Sequence, residues 1–434
     1  MNINMDSRKI VKGEVFIALK GELRDGHDYI DDAFRNGASS AIVEREWLEK
    51  TGNPCGYNIE AVDDVLRHVQ TLARDRRRQL RVPVVAVTGS NGKTSTSFAL
   101  KEILGRKLKV GGTKGNFNNH IGVPLSILAM DGGEDIAVFE VGANHAGEIA
   151  ELTTIIEPDI GIITNIGYAH VGLFGGIEKT AEAKFELARA VSFKKGTMLL
   201  NGDDKMTVYQ NAIDRVSAVY FGVGDGNQIR AKNIACGEDG CYSFEFNDDR
   251  YELSMQGYHA IYTVLPAIYL ALSMGIDKNT VKDAVMELKP ANMRGEIEVL
   301  EKIKIIKDCY NANPSSMQTA LKMFSDIPVS ARRIAMLGTM GELGEYEEKL
   351  HKELGASLKD YKVDLLIAVG SRAETIADGA LSTGFNKDKI FSAATAQEAG
   401  DVALKILRED DAILFKGSRN IELEKAISVL YNNL

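Results

Sequence analysis

The stretch VPVVAVTGSNGKT, residues 82–94, decides the fold of this chain. It starts as an apolar, largely β-branched run and becomes a glycine loop that ends in Lys93 and Thr94, and a helical pattern follows from Ser95. Glycines let successive backbone N–H groups point at an anion, and the N-terminus of the next helix adds partial positive charge. A strand, a glycine loop, Lys-Thr and a helix in this order predict a phosphate-binding loop for a nucleoside triphosphate.

The loop is shorter than the common form, because Val87 and not glycine stands five residues before Gly92. In this TGxxGKT variant, Lys93 would reach the terminal phosphates of ATP and the Thr94 hydroxyl would hold Mg²⁺. The residues predicted to bind ATP here are Gly89, Ser90, Asn91, Gly92, Lys93, Thr94 and Ser95. The alternative is a glycine turn that merely starts a buried helix.

Composition limits the function further. At about 100–200 residues per domain, 434 residues predict two to four domains. A net charge of −9 argues against a general nucleic-acid or anionic-membrane binder, so local loops, single cations and metal must bind anionic ligands. The four cysteines form no CxxC pair and are interpreted as reduced thiols, not disulfides or a zinc site. Without an apolar leader or an apolar run of about 18 residues, we expect a soluble, cytoplasmic protein.

Strand and helix patterns alternate along most of the chain and predict an α/β protein of three domains. The predicted domains are a small α/β unit over 1–80, a central parallel-sheet unit with the phosphate loop over 81–293, and a Rossmann-like α/β unit over 294–434. The third has no phosphate-loop lysine of its own. The basic run 74–78 at the first boundary is interpreted as a solvated last helical turn, with RNA binding or targeting as the alternative.

Three side chains of the central unit are candidates for catalysis. The phosphate loop, Glu140 and His170 all follow predicted strands, and ligands gather at the carboxyl ends of parallel strands. Glu140 is a candidate Mg²⁺ ligand or else a surface strand terminus, and His170 is either structural or functional. Lys184 lies on an apolar helix face, where a lysine by default extends its ammonium to solvent. A desolvated lysine, however, loses its proton and becomes reactive towards CO₂.

Two asparagine-rich stretches and one cation add further candidates. Residues 116–119 (NFNN) and 308–314 (DCYNANP) place amide groups after strands, where they suit sugar or peptide amides, or form Asx turns and helix caps. Arg294 lies at the predicted junction of the second and third domains and could reach the γ-phosphate when they close.

Several motifs in order make the chain resemble the Mur ligase family from end to end. They are DSR (6–8), FIALKGELRDGHDYI (16–30), TGSNGKTST (88–96), NFNNHIGVP (116–124), EVGANHAGEI (140–149), TNIGYAHVGLFGG (164–176), DCYNANPSSM (308–317) and KGSR (416–419). The motifs are most similar to those of the member that adds D-alanyl-D-alanine to UDP-N-acetylmuramoyl-tripeptide.

The resemblance implies roles for particular residues. Two Mg²⁺ ions would be held by Thr94, Glu140, His170 and Lys184, the last of them carbamylated. The third domain and its junction would bring to ATP the residues Arg294, Asp308, Tyr310, Asn311 and Asn313. The UDP-peptide substrate would contact Ser7, Arg8, Lys20, Gly21, Asp25, Gly26, His27, Asn116, Asn118, Asn119, Lys416, Ser418 and Arg419.

The chain departs from the family pattern in three places. Thr263 replaces the asparagine that serves the adenine, and Thr339 stands where these ligases usually carry Asp. The chain also begins five residues before the DSR motif, from which we expect the first strand of the first domain to be absent.

The activity implied by the resemblance is ATP-dependent amide formation through an acyl phosphate, in peptidoglycan precursor synthesis. Its partners would be small molecules (ATP, the UDP-muramoyl-tripeptide and D-alanyl-D-alanine), with neither nucleic acid nor membrane insertion, and the enzyme would be a monomer. The alternatives are a related ligase of the polyglutamate or folate type, a P-loop kinase or motor-type NTPase, and a catalytically silent nucleotide-binding subunit.

Overall fold

The computed structural model describes residues 3–21, 24–53 and 55–434. The first unit is a four-stranded parallel sheet in the order β1-β2-β3-β4. Its elements are β1 (Ile3–Asn4), β2 (Val15–Ile17), α1 (Ile30–Arg35), β3 (Ser40–Glu44), α2 (Arg45–Thr51) and β4 (Ile59–Val62), and α3 (Val65–Leu80) follows. The expectation that its first strand is absent is wrong, because Ile3 and Asn4 pair in parallel with Val15 and Phe16.

The middle unit is built on a seven-stranded parallel sheet, as the strand–helix alternation predicts. Its strand order is β11-β10-β9-β8-β5-β7-β6. The strands are β5 (Val84–Thr88), β6 (Val110–Gly112), β7 (Ile136–Glu140), β8 (Ile160–Ile163), β9 (Thr197–Asn201), β10 (Val219–Gly222) and β11 (Ile229–Arg230). Between them lie α4 (Lys93–Leu104), α5 (Gly122–Leu128), α6 (Glu148–Ile156), α7 (Val171–Phe174), α8 (Ile177–Phe193) and α9 (Lys205–Asp214).

A three-stranded antiparallel sheet and two helices complete this unit. They are β12 (Lys232–Cys236), β13 (Cys241–Phe246), β14 (Asp249–Gln256), α10 (His259–Ser273) and α11 (Lys278–Met286). The sequence also predicts a hairpin over 241–255 that turns at 247–249, and the pairing of β13 with β14 confirms it. Asn247 and Asp248 take the left-handed conformation that Asn and Asp tolerate. The inner face of this small sheet, α10 and α4 share one apolar core.

The third unit is a six-stranded sheet in the order β15-β16-β20-β17-β18-β19. Only β15 runs antiparallel to its neighbour among these pairings. The strands are β15 (Glu296–Leu300), β16 (Ile303–Lys307), β17 (Arg333–Gly338), β18 (Leu365–Val369), β19 (Ile390–Ala393) and β20 (Ala412–Lys416). The helices are α12 (Pro314–Asp326), α13 (Glu347–Ser357), α14 (Ala373–Ser382), α15 (Ala396–Ile406) and α16 (Glu424–Asn433). The three-unit α/β fold class is confirmed; the boundaries at 80/81 and 293/294 stay a prediction.

Helix α3 joins the first unit to the second. Its apolar face packs in a core shared by the first sheet and the middle sheet. The prediction that its basic last turn is solvated is wrong at Arg77, which is 7% exposed. Its guanidinium donates to the carbonyl oxygens of Ile156 and Glu157, at 2.7 and 3.2 Å, and to Asp159 at 3.2 Å. The cation therefore satisfies carbonyl groups at the end of α6.

The short helix α7 docks the third unit onto the second. Val171 is fully buried and packs in the apolar core of the third unit, against residues such as Met340 and Leu343. The Gly172 N–H donates to the Glu342 carbonyl at 3.1 Å. A Cβ at position 172 would lie 2.5 Å from the backbone nitrogen of Gly344, so only glycine permits this approach. In the part of the chain that the structure describes, no helix is both long and apolar enough to cross a membrane.

Candidate active site

The phosphate loop connects β5 to α4 and is held by the chain that follows β8. The Gly89 φ of +147° suits glycine, and a Cβ there would overlap Oγ1 of Thr164. The Asn91 N–H donates to Oδ1 of Asn165 at 3.0 Å, and the Asn91 carbonyl accepts from Oγ1 of Thr164 at 2.5 Å. The loop is therefore fixed at the carboxyl end of the sheet, as predicted for a phosphate cradle.

Lys93 begins α4, and its ammonium folds back over the loop. Nζ donates to the Gly89 carbonyl at 2.7 Å. Burial lowers the pKa of Lys93, an effect that the charge of Glu140 opposes and the charge of Arg294 reinforces. A buried cation beside a glycine loop is placed to attract a phosphate, which would replace the carbonyl as its partner.

Glu140 ends β7, directly beside β5, with Val87 as its register partner. Its side chain is 3% exposed, so Glu140 is not an exposed strand end, and Oε1 accepts from Nδ2 of Asn118 at 2.8 Å. The predicted substrate residue Asn118 thus contacts the carboxylate in this structure. Burial lowers the pKa of Lys101 to about 8, and the negative charge of Glu140 opposes that shift.

Lys184 lies on α8, and its amine is buried. The prediction of an ammonium that extends to solvent is wrong, because the residue is 1% exposed. Burial, reinforced by the charge of Lys93, lowers the pKa of Lys184 to about 7. Nζ lies 5.6 Å from the ring centre of Phe174, the last residue of α7. A substantial fraction of this amine is therefore neutral and nucleophilic near neutral pH.

His170 precedes α7 and adopts a left-handed backbone with φ of +57°. Its Nδ1 lies against a carboxylate oxygen of Glu342, which belongs to the third unit. The pairing with His170 is the main cause of the lowered pKa of the Glu342 carboxyl. The third unit therefore contacts the imidazole of His170 through a carboxylate.

Two of the predicted metal ligands, Thr94 and Glu140, fit Mg²⁺ by their chemistry. Carboxylate and hydroxyl oxygens are the donors that this ion prefers, and it usually binds one or two protein groups together with substrate phosphates and water. The described ranges 3–21, 24–53 and 55–434 contain no cluster of three acidic, histidine or cysteine side chains able to hold a metal. Thr94 in the phosphate loop and Glu140 on the neighbouring strand supply oxygen donors, and the phosphates of ATP would complete such a site.

The third unit places its asparagine-rich stretch opposite the phosphate loop. The guanidinium of Arg294 stacks 4.3 Å above the ring centre of Tyr310. Lys416 is 2% exposed, pairs with Asp308 at 3.0 Å and donates to the Asn311 carbonyl at 2.9 Å. In this structure the Lys416 ammonium therefore ties two strand ends together and has no free approach to a ligand. Asn313 caps α12.

A narrow cavity lies beside the phosphate loop. Its lining includes Ser95, Gln256, His259, Thr263 and Arg294. The Thr263 hydroxyl donates to the His259 carbonyl in its own helix at 3.3 Å. This hydroxyl offers less to a base edge than the amide of the family's asparagine, which both donates and accepts.

The first unit gathers the predicted UDP-binding residues at the N-termini of two 3₁₀ turns. Asp25 caps one turn, and His27 is 3% exposed with both ring nitrogens engaged by Asp25 and the Glu44 N–H. A Cβ on Gly26 would lie 2.7 Å from the Leu19 backbone, so glycine is required there. Arg8 is exposed and pairs with Asp6. Glu22 and Leu23, within the predicted loop 20–28, lie outside the described residues.

The remaining predicted residues have structural roles or are exposed. The backbone of Lys20 forms an isolated antiparallel β-bridge with that of Asp25, and the Gly21 N–H donates to the Arg24 carbonyl at 2.9 Å. The side chain of Asn119 caps the N-terminal turn of α5, and Ser418 donates to the Ala312 carbonyl at 3.2 Å. Ser7 is buried, Asn116 is exposed and Arg419 pairs with Glu424. Thr339, the second departure, is buried and hydrogen-bonds the Val369 carbonyl.

Three residues of the site escape the sequence analysis. Lys101 stands eight residues after Lys93, hence on the same face of α4, and this spacing could have found it. Glu342 and Ser315 reach the site only because the third unit docks there. No local pattern marks Glu342, whereas Ser315 lies within the motif DCYNANPSSM at 308–317.

Matches to known families cover most of the chain. The family models that match are the Mur ligase family catalytic domain over residues 1–76, the Mur ligase middle domain over 87–271 and the Mur ligase glutamate ligase domain over 293–419. With its phosphate loop, buried carboxylate and docked third unit, the chain belongs to the Mur ligase family, whose members are ATP-dependent ligases.

Individual relatives show which members of the family this chain is similar to. The UDP-N-acetylmuramoyl-tripeptide–D-alanyl-D-alanine ligase of Bacillus subtilis is 34% identical, over 98% of this chain and 92% of that protein. The Escherichia coli ligase of the same name is 30% identical, over 99% and 94%. A MurF structure from Acinetobacter baumannii has a TM-score of 0.88 at 29% identity, covering 99% of this chain and 93% of that one. A Thermotoga maritima MurF in complex with ADP has a TM-score of 0.84 at 28% identity, covering 99% and 97%.

Proposed function

We propose that this protein joins D-alanyl-D-alanine to UDP-N-acetylmuramoyl-tripeptide, with conversion of ATP to ADP and phosphate. The observation that carries this proposal is full-length similarity to ligases of that name, together with a phosphate loop beside a buried carboxylate. The reaction belongs to peptidoglycan precursor synthesis. Because it consumes ATP and a nucleotide-linked precursor, we expect it in the cytoplasm, with a monomeric enzyme.

The chemistry explains why ATP is required. A carboxylate is a poor acyl donor because its leaving group would be oxide. Attack of the carboxylate oxygen on the γ-phosphorus expels ADP and forms an acyl phosphate, whose leaving group is phosphate. The amine nitrogen of D-alanyl-D-alanine then attacks the acyl carbon, loses a proton and releases inorganic phosphate from a tetrahedral oxyanion.

Two cationic side chains, Lys93 and Arg294, are proposed to neutralise the negative charge of the ATP phosphates and the substrate carboxylate. Lys93 lies on the loop, and Arg294 is close enough to lower the pKa of Lys93. Glu140, with Thr94, His170 and Lys184, is proposed to hold Mg²⁺, which when bound would neutralise phosphate oxygens. Preorganised charge of this kind commonly supplies the largest part of a rate enhancement.

Carbamylation of Lys184 is a separate part of the proposal. The neutral ε-nitrogen would form a bond to the carbon of CO₂ and release one proton, which leaves an anionic carbamate as a metal ligand. Burial of the amine and its pKa of about 7 support this step. If Lys184→Ala keeps full activity without added short carboxylic acids, the carbamate has no catalytic role; rescue by such acids is the expected result.

Release of ADP is the direct test of the proposed function. ADP should form in the presence of UDP-N-acetylmuramoyl-tripeptide and increase with D-alanyl-D-alanine in a one-to-one ratio with amide product. ADP formation at a rate that does not depend on the amine would favour a kinase or motor-type NTPase, and glutamate as the productive amine would favour a polyglutamate ligase. No ADP under any condition would identify a silent nucleotide-binding subunit.

A further inference from the structure

Asn91, in the middle of the phosphate loop, bonds through its side-chain amide to the third unit. Its Nδ2 donates to Oγ of Ser315 at 2.8 Å, and its Oδ1 accepts from Nδ2 of Asn313 at 2.7 Å. Oγ of Ser315 in turn donates to Oδ1 of Asn313 at 3.0 Å. The three side chains form a closed ring, in which each one donates once and accepts once around the circle.

Backbone groups hold this ring on both sides. On the third unit, Oδ1 of Asn313 also accepts from the Ser316 N–H at 3.0 Å, within the capping box that starts α12. On the middle unit, Thr164 and Asn165 bind the backbone of Asn91, as described above. The ring therefore connects the N-terminus of a helix to a fixed phosphate loop, and each side limits the movement of the other.

Gly167 supplies an independent observation about the same contact. Its N–H donates to Oγ of Ser90 in the phosphate loop at 2.8 Å. A Cβ at position 167 would lie 2.7 Å from Oγ of Ser315. Ser315 can therefore reach Asn91 because the residue that supports the loop carries no side chain. The site is shaped to admit this serine.

We propose that Asn91, Asn313 and Ser315 form an interdomain latch, in which one hydrogen-bond ring sets both the docking of the third unit and the shape of the loop that receives ATP. Ser315 is then a positioning residue, which acts on the nucleotide through Asn91. The proposal rests on the proposed function only in taking ATP as the ligand of the loop. It does not depend on which acid and amine are joined.

A double-mutant cycle tests the latch through ATP affinity, measured by calorimetry on the full chain without acid or amine substrate. Ser315→Ala and Asn91→Ala should each weaken ATP binding about tenfold, since each opens the ring. The double variant should bind ATP no more weakly than the worse single variant, because an open ring cannot be opened twice. Thr319→Ala is the matched control: it removes a hydroxyl that donates to the Ser315 carbonyl and leaves the three side chains of the ring in place, so ATP binding should be normal. Ser315→Thr keeps the hydroxyl and should bind ATP with the affinity of the wild type.

Solution scattering supplies a second readout that a local change in α12 would not alter. Ser315→Ala should have a larger radius of gyration than the wild type and Thr319→Ala, at matching unfolding temperatures. Independent, additive losses in the cycle, normal ATP affinity of Ser315→Ala, or an unchanged radius of gyration would each overturn the latch. A wild type that binds ATP but makes no amide would contradict the proposed function and leave the latch standing, whereas a wild type that binds no ATP would end both.

Discussion

Lys184 places an ionisable amine in a fully buried position. Its amine is fully buried on α8 near a second cation, so the folded chain disfavours the charged form. Such an amine costs stability in the pH range where an exposed lysine would be charged. A residue with this cost and no function would be replaced by an apolar side chain with gain in stability, which makes the site a candidate for chemistry.

The pH dependence of stability tests this assignment. The pKa of Lys184 is about 7 in the folded chain and 10.5 ordinarily, so on lowering the pH the unfolded chain takes up the proton first. The free energy of unfolding therefore falls between pH 10.5 and 7 and is level below 7. Lys184→Met removes the cost of burying this amine. As the pH falls from 10.5 to 7, the free energy of unfolding of Lys184→Met should therefore rise by about 3–5 kcal/mol relative to that of the wild type. Denaturant unfolding of both proteins at pH 10 and 7 measures it; an equal difference at the two pH values would contradict a buried amine.

Lys93 and Glu140 are the side chains on which turnover should depend most. Loss of one preorganised charge at a reacting centre commonly costs about 2.7–4 kcal/mol. Lys93→Ala and Glu140→Ala should each reduce kcat at least about a hundredfold, measured by ADP release. Lys114→Ala removes an exposed cation from the neighbouring loop and should leave kcat nearly unchanged. Near-normal turnover of either site variant would falsify the site assignment.

At the scale of elements, the last turn of α3 holds the first two units together. Arg77→Ala removes hydrogen bonds to two helix-end carbonyls and to Asp159. Because hydrogen bonds from charged groups contribute about 1.5–3 kcal/mol each and some carbonyls regain water, we expect a loss of about 2–3 kcal/mol in the free energy of unfolding. Arg78, which is exposed and paired with Glu157, is the control, and its replacement by alanine should cost much less than that of Arg77. Equal losses of stability in the two variants would contradict a special role for the buried Arg77.

Helix α7 is the element through which the third unit docks. Gly172→Ala would push a methyl group into the Gly344 backbone and displace that unit. Since misplacement by about 1 Å can cost a hundredfold in rate, we expect kcat to fall about that far, while ATP affinity falls no further than in Ser315→Ala. Gly226→Ala, where a Cβ meets nothing within 4 Å, is the matched control. Full activity of Gly172→Ala would show that docking by α7 is not needed for turnover.

Elements and sites differ in how far the sequence predicts them. The phosphate loop, the alternation and the 241–255 hairpin could be predicted because strand length, period and turn residues are local. The two-residue strands β1 and β11 could not be predicted, because two residues are too few to show a period. The burial of Arg77 and Lys184 and the pairing of His170 with Glu342 depend on packing between units, which local sequence does not encode.

At the scale of the whole molecule, three α/β units meet around one phosphate loop. The first two share a core through α3, and the third contacts the loop through Asn313 and Ser315 and packs over Val171. Such an arrangement would exclude water from an acyl phosphate and would hold the amine close to it. The central claim is therefore that the acid substrate receives the terminal phosphoryl group of ATP within this closed cleft.

Oxygen-isotope transfer tests that claim most directly. UDP-N-acetylmuramoyl-tripeptide with ¹⁸O in its terminal carboxylate is incubated with ATP, Mg²⁺ and D-alanyl-D-alanine, and the inorganic phosphate released is examined by mass spectrometry. Attack of the carboxylate on phosphorus predicts one ¹⁸O atom in each phosphate formed and one retained in the amide carbonyl. Phosphate that contains no ¹⁸O, while amide forms at the normal rate, would contradict the account.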